Sequence, residues 1–166
     1  MQKKLNIEFE KAVRLLATHF PLSDTNSRKP ILFHSIRVGV YLYEKSYAQE
    51  IVLAGLLHDA LEWSNITKDL LRSEFGDHIT RLILANTKND TITDNENKTN
   101  ELIQRCVQAG QDALIVKTAD IIDSYKWYTN QKNAEELNYC TRCVQAIFKF
   151  KPATFNDLIF KELKSL

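Results

Sequence analysis

Apolar residues recur along this chain at the three- and four-residue spacing of helices, and no window shows the two-residue alternation of a strand bounded by turn residues. The pattern predicts an all-α fold. A first amphipathic helix spans about residues 5–20, with Ile7, Phe9, Val13, Leu16 and Phe20 on one face, and Pro21 ends it. After a polar loop over 22–30, helical periodicity resumes over 31–46 and carries His34 between Phe33 and Ile36. A third helix, over about 49–63, is apolar on every side from residue 51 to 61, as expected of a helix buried all round. Thr67 suits the cap of a short helix to Phe75, Gly76 its stop, and another helix follows over 77–87. The stretch 88–98, rich in Asn, Asp and Thr, reads as a mobile loop without apolar anchors. Helices over about 99–109, 111–130, 134–150 and 155–166 complete the chain, with no repeat and no linker to a second domain.

Ionisable side chains interrupt the apolar segments, and each interruption needs a partner. His58 and Asp59 lie within the third helix, and a carboxylate there costs several kcal/mol unless it is paired or bound to a cation. Glu62 follows His58 by four residues and Asp59 by three, so helical spacing gives all three a common direction. Lys117, Asp120 and Asp123 pose the same problem among the apolar residues of 113–122. Each site alone has an ordinary explanation, a buried hydrogen bond or an Asp–Lys pair. Taken together, His34, His58, Asp59 and Asp120 make a mixed nitrogen and oxygen donor set. That set suits a divalent metal, Mn²⁺ first, with Fe²⁺, Zn²⁺ or Mg²⁺ as alternatives. Such an ion acidifies water and polarises a phosphorus–oxygen bond, which points to hydrolysis of a phosphate ester or anhydride.

Composition narrows the setting. The 166 residues suit one domain, 44% hydrophobic and 26% charged, ordinary values for a soluble globular protein. With 22 Lys and Arg against 21 Asp and Glu, the net charge of +1 argues against a general nucleic-acid binder. No apolar run is long enough for a membrane span, and the charged N-terminal segment is unlike a signal peptide, so a cytoplasmic protein is expected. Cys106, Cys140 and Cys143 are too few for a disulfide framework. The CxxC spacing of the last two lacks a second pair, and both read as reduced helix residues.

The motif order H…HD…D resembles the HD-domain metal-dependent phosphohydrolases, and in detail the RelA/SpoT-type domain that hydrolyses the alarmone (p)ppGpp. Arg28-Lys29 ahead of Phe33-His34, the run Leu56-Leu57-His58-Asp59-Ala60-Leu61-Glu62, Phe75-Gly76 to Thr87-Lys88, and Lys117-Thr118-Ala119-Asp120 look like that group's motifs in order, over about 28–124. The resemblance implies an HD-type helical bundle in which helices over 134–166 pack on the motif-bearing core. It implies His34, His58, Asp59 and Asp120 as metal ligands, Glu62 as the group that orients or deprotonates water, Arg28 and Lys29 as phosphate-binding residues, and Lys88 among the substrate-binding ones.

Three positions depart from the group's pattern. Trp63 stands where an aspartate follows the glutamate, Ser124 where an asparagine is usual, and Ser35 where proline follows the first histidine. Asp123 is then the candidate to replace the missing acceptor, or Trp63 offers an aromatic face to a base; Ser124 changes nucleoside recognition. The implied partner is a small nucleotide, with ppGpp and its 3′-pyrophosphate leading. The alternatives are an HD-type nucleotidase or phosphomonoesterase, and a metal- and nucleotide-binding module without turnover. Hydrolysis without synthesis is expected, and an oligomer is compatible with everything above.

Overall fold

The computed structural model describes residues 2–166, and every regular element among the described residues is a helix. In chain order these are α1 (Gln2–His19), α2 (Ile31–Glu44), α3 (Gln49–Leu57), α4 (Ala60–Trp63), α5 (Lys68–Asn86), α6 (Asn95–Ala109), α7 (Gln111–Gln131), α8 (Ala134–Phe150) and α9 (Leu158–Lys164). α3 lies at the centre, packed by α1, α2, α5 and α7, and α7 in turn carries α6, α8 and α9 on its other sides. All seven residues from Ile51 to Leu57 are buried. Each fully buried Leu, Ile or Val adds about 1.5–3 kcal/mol relative to exposure, and this drive carries the adjoining His58 and Asp59 inward.

α2 and α3 approach closely because both carry glycine at the contact. A Cβ on Gly55 would lie 2.2 Å from Leu42 Cδ1, and one on Gly39 would lie 2.9 Å from Leu56 Cβ and 3.0 Å from the Phe9 ring. The crossing brings the His34 turn of α2 beside the C-terminal end of α3. Gly76, at φ +85, breaks α5 into two helical runs, as its place in the sequence suggests, and Thr67 caps the first by accepting from Leu70 N–H.

Several boundaries depart from expectation. The third helix does not run through to Trp63: it ends at Leu57, and His58 and Asp59 form a turn before α4, with Asp59 at φ −92, ψ −1. The Asp59 carbonyl then accepts from both Glu62 and Trp63 N–H. α6 begins at Asn95, where Asp94 caps it by accepting from Asn97 N–H, so the expected loop over 88–98 is shorter by its last four residues. The last helix is limited to Leu158–Lys164, with Asp157 as its cap. Ile7 is 57% exposed, and Ala12 joins Leu16 as the buried face of α1, with Phe20 buried just past its end. No helix among the described residues is long and apolar enough to cross a membrane.

Candidate metal centre and cleft

The turn between α3 and α4 meets α2 and α7 at a cluster of facing donors. His34 Nε2 lies 3.3 Å from His58 Nε2, 3.2 Å from Asp120 Oδ1 and 3.7 Å from Asp59 Oδ2. His58 Nε2 lies 3.3 Å from Asp59 Oδ2 and 3.6 Å from Asp120 Oδ1. Ligands about 2.1 Å from one ion stand roughly 3 Å apart at right angles and farther at tetrahedral angles, so these spacings fit a shared cation.

The outer nitrogens of both rings are already engaged. His58 Nδ1 donates to the Gly55 carbonyl at 2.7 Å, and His34 Nδ1 donates to Asp123 Oδ2 at 2.6 Å. The two Nε2 atoms therefore face each other across the cluster and are the ring atoms placed to coordinate an ion there. His34, His58 and Asp120 form the one group of described residues whose donor atoms converge closely enough for an ion, and Asp59 adjoins it at the two imidazole distances above.

Charge is balanced around the cluster. Asp120 divides its carboxylate: Oδ2 accepts from buried Lys117 at 2.8 Å, while Oδ1 faces the centre and accepts from the Ser124 hydroxyl at 3.2 Å. Burial opposes its ionisation, but Lys117, Lys29 and His58 hold its pKa well below the usual carboxylate value. Asp59 is likewise lowered, against burial, chiefly by His58. Burial would lower the His58 pKa, yet the Asp59 and Asp120 carboxylates raise it to about 10. Lys29 sends its ammonium into the same cluster, 2.9 Å from His34 Nε2 and 2.9 Å from Ser124 Oγ.

A cleft of about 490 Å³ opens over this centre. Asp59 and Asp120 line it, and the two imidazoles, 0% and 2% exposed, lie behind them. Arg28, Lys29, Glu62, Trp63, Lys88 and Ser124 all line the same cleft. Glu62 is fixed by Lys88, whose backbone N–H donates to Oε1 at 2.7 Å and whose ammonium stands 3.4 Å from Oε2. Arg28 lies over the Trp63 ring at 5.7 Å and donates to Glu136 at 2.7 Å; burial and this bond act on it in opposite senses, and the net effect raises its pKa.

Asp123 is the exception among the expected site residues. It does not line the cleft, and both of its oxygens are taken, by Arg37 at 2.7 and 2.8 Å and by His34. Its oxygens face His34 Nδ1 and Arg37, not the cleft where the sequence reading would have it accept from water. Burial disfavours its charge, but the His34 and Arg37 bonds bring its pKa down to about 2.

Sequence reasoning passed over Arg37, Lys98, Tyr139 and Arg142. The last three line the cleft, with Lys88 and Arg142 5.4 and 6.0 Å from the Tyr139 ring centre. Arg37 did carry a signal, as the one full charge in the apolar run 31–43. Cys106, Cys140 and Cys143 are buried free thiols, and burial pushes Cys106 and Cys140 up to about 12.

The HD-domain family profile matches residues 12–150. A guanosine-3′,5′-bis(diphosphate) 3′-pyrophosphohydrolase of Aquifex aeolicus is 23% identical over 113 residues, which cover 66% of this chain and 16% of that protein. Mouse MESH1, named as the same activity, is 31% identical over 114 residues, covering 68% of this chain and 58% of MESH1. The chain thus spans about one-sixth of the bacterial relative's length. Among solved structures, that of a metazoan ortholog of SpoT that hydrolyses ppGpp superimposes with a TM-score of 0.70, covering 95% of this chain and 94% of the other at 17% identity, a likeness of fold.

Proposed function

The chain belongs to the HD-domain family, and on that premise we propose that it is a metal-dependent phosphohydrolase whose substrate is a nucleotide, ppGpp, cleaved at its 3′-pyrophosphate. The observation that carries this reading is the convergence of the His34 and His58 Nε2 atoms with Asp120, with an Asp59 oxygen 3.7 and 3.3 Å from the same two nitrogens, beside a cleft lined with cations. Relatives named for ppGpp hydrolysis support the choice of substrate.

His34, His58, Asp59 and Asp120 would hold the ion. The mixed donor set favours Mn²⁺ over softer-site metals, with Fe²⁺, Zn²⁺ or Mg²⁺ as alternatives. When bound, it supplies Lewis acidity toward a phosphoryl oxygen and makes water a better nucleophile. Glu62 takes the proton of the attacking water, and the two Lys88 contacts keep its carboxylate aimed across the cleft. Lys29 meets a phosphate oxygen as a point charge, and Arg28 does so with the N–H groups not engaged by Glu136. Trp63, 39% exposed and stacked with Arg28, offers a face for the base. Ser124, bonded to Lys29 and Asp120, steadies the lysine beside the ion. Asp123 serves as a support for His34. The chain acts as one HD unit in a reducing cytoplasm, consistent with its free cysteines.

The decisive measurement is a panel of nucleotides, ppGpp among them, incubated with purified protein and Mn²⁺ or chelator and read by phosphorus NMR. Release of pyrophosphate from ppGpp in the Mn²⁺ sample alone is the expected outcome. Orthophosphate from nucleoside monophosphates would make the chain a nucleotidase, and nucleotide binding without any product would make it a sensing module.

A further inference from the structure

The geometry points to Arg37 as a positioning residue for the metal centre, acting through Asp123 on His34. This rests on the metal-centre part of the reading above, and no motif of the chain's family resemblance includes Arg37.

Arg37 follows His34 by three residues on α2, so it lies one turn along the same helix. Its Nε and Nη2 donate to the two oxygens of Asp123 at 2.7 and 2.8 Å. This is the paired fork that fixes both the position and the plane of a carboxylate. A guanidinium does not lose its proton, so Asp123 remains an ionised, acceptor-only group. Its Oδ2 lies 2.6 Å from His34 Nδ1, and the hydrogen of the neutral imidazole must therefore sit on Nδ1. The lone pair is left on Nε2, the atom that faces His58 and Asp120. Arg37 thus determines which nitrogen of His34 can coordinate, and holds the ring at the angle that coordination requires.

The fork is itself packed by two rings. The Arg37 guanidinium lies 4.8 Å from the Phe33 ring centre and 5.1 Å from that of Trp127. Phe33 precedes Arg37 by four residues on α2, and Trp127 follows Asp123 by four on α7, so each helix contributes one charged group and one ring to the same stack. Trp127 Nε1 also donates to the Arg28 carbonyl at 3.2 Å, which ties the stack to the loop that carries Arg28 and Lys29. The remaining nitrogen, Nη1, is buried and has no hydrogen-bond partner among the described residues. An arginine kept there at that cost is bound by its other two donors and by the rings.

The test compares Arg37→Met, Arg37→Lys, Asp123→Asn and His34→Ala. For each, the Mn²⁺ dissociation constant is measured by competition with a chelating dye, alongside the visible spectrum of the Co²⁺-loaded protein and the melting temperature of the ion-free protein. Loss of such a support typically weakens metal binding about 10- to 100-fold. Arg37→Met and Asp123→Asn should both fall in that range with an altered Co²⁺ spectrum, and Arg37→Lys should recover part of the affinity because it keeps the charge and loses the fork. Arg37→Met that binds Mn²⁺ at wild-type strength, whatever its melting temperature, overturns the assignment. If Arg37→Met does not fold, the near-isosteric Asp123→Asn decides, and unchanged affinity there overturns it equally. His34→Ala with undiminished Mn²⁺ binding would instead remove the metal centre itself, an outcome distinguishable from the failure of Arg37 alone.

Discussion

Asp59 and Glu62 are carboxylates within one turn of each other, yet their surroundings give them different work. Asp59 faces two imidazoles, whereas Glu62 is held by Lys88 at the cleft wall. Asp59→Ala and His58→Ala are expected to lose both metal and turnover. Glu62→Gln should keep its metal and lose about 10²- to 10⁴-fold in kcat, the range of a removed general base. Metal analysis of the same samples used for rates separates the two cases, and equal loss of metal in Glu62→Gln would make it a ligand. His58 gives a pH signature. Its pKa stands at about 10 in the ion-free protein against an ordinary 6.5, so its contribution to ion-free stability is full below about 6.5 and disappears as pH rises through 10. Metal must displace that proton, so Mn²⁺ affinity should move the opposite way, rising with pH over the same window. Calorimetric titration in buffers of different ionisation enthalpy measures the released proton; heats that do not depend on buffer would count against it. At this scale the sequence was most legible where charge sits among apolar neighbours, as at His34 and Asp120. It was least so at Arg37, because a long side chain on an apolar helix is ordinarily read as reaching to water.

The two helices that bring the proposed imidazole ligands together, α2 and α3, cross closely. At the α2–α3 crossing, Gly39 lies against Leu56, two residues before His58. Gly39→Ala should destabilise the ion-free protein by about 1–3 kcal/mol through overpacking, and should weaken Mn²⁺ binding because α2, which carries His34, and α3, which leads into His58, are pushed apart. Urea unfolding and metal titration of one preparation check both effects, and wild-type values in the two would show that the crossing has slack. Most of the elements were readable from periodicity, Gly76 and Thr67 among their signals. The break at His58–Asp59 was not, because Ala60 and Leu61 continue the apolar run across it and the turn shows only in the Asp59 backbone. The start of α6 was hidden for another reason. Its first turn is Asn-Glu-Asn-Lys, a loop-like composition whose helicity depends on the Asp94 cap and on Thr99, Leu102 and Ile103 burying further along.

Seen as a whole, the molecule gathers its four expected ligands from positions 34, 58, 59 and 120, on α2, the α3–α4 turn and α7. An ion that binds only this arrangement stabilises the folded state by mass action, about 2.7 kcal/mol at a hundredfold excess over its dissociation constant. Mn²⁺ should therefore raise the melting temperature by several degrees, a gain abolished by chelator and absent in His34→Ala; equal shifts in wild type and His34→Ala would place the ion elsewhere. The fold class was legible throughout, since a chain with 4 glycines, 3 prolines and unbroken helical spacing has few other outcomes. The cleft was not, because its far wall comes from Tyr139 and Arg142 on α8, whose approach depends on packing that no local pattern encodes. Because the proposed donors run from position 34 to 120, no fragment that stops short of α7 holds the complete set, so a chain caught partway through folding should hold the ion more weakly than the finished one, and metal content becomes a gauge of how much of the protein in a preparation has finished folding.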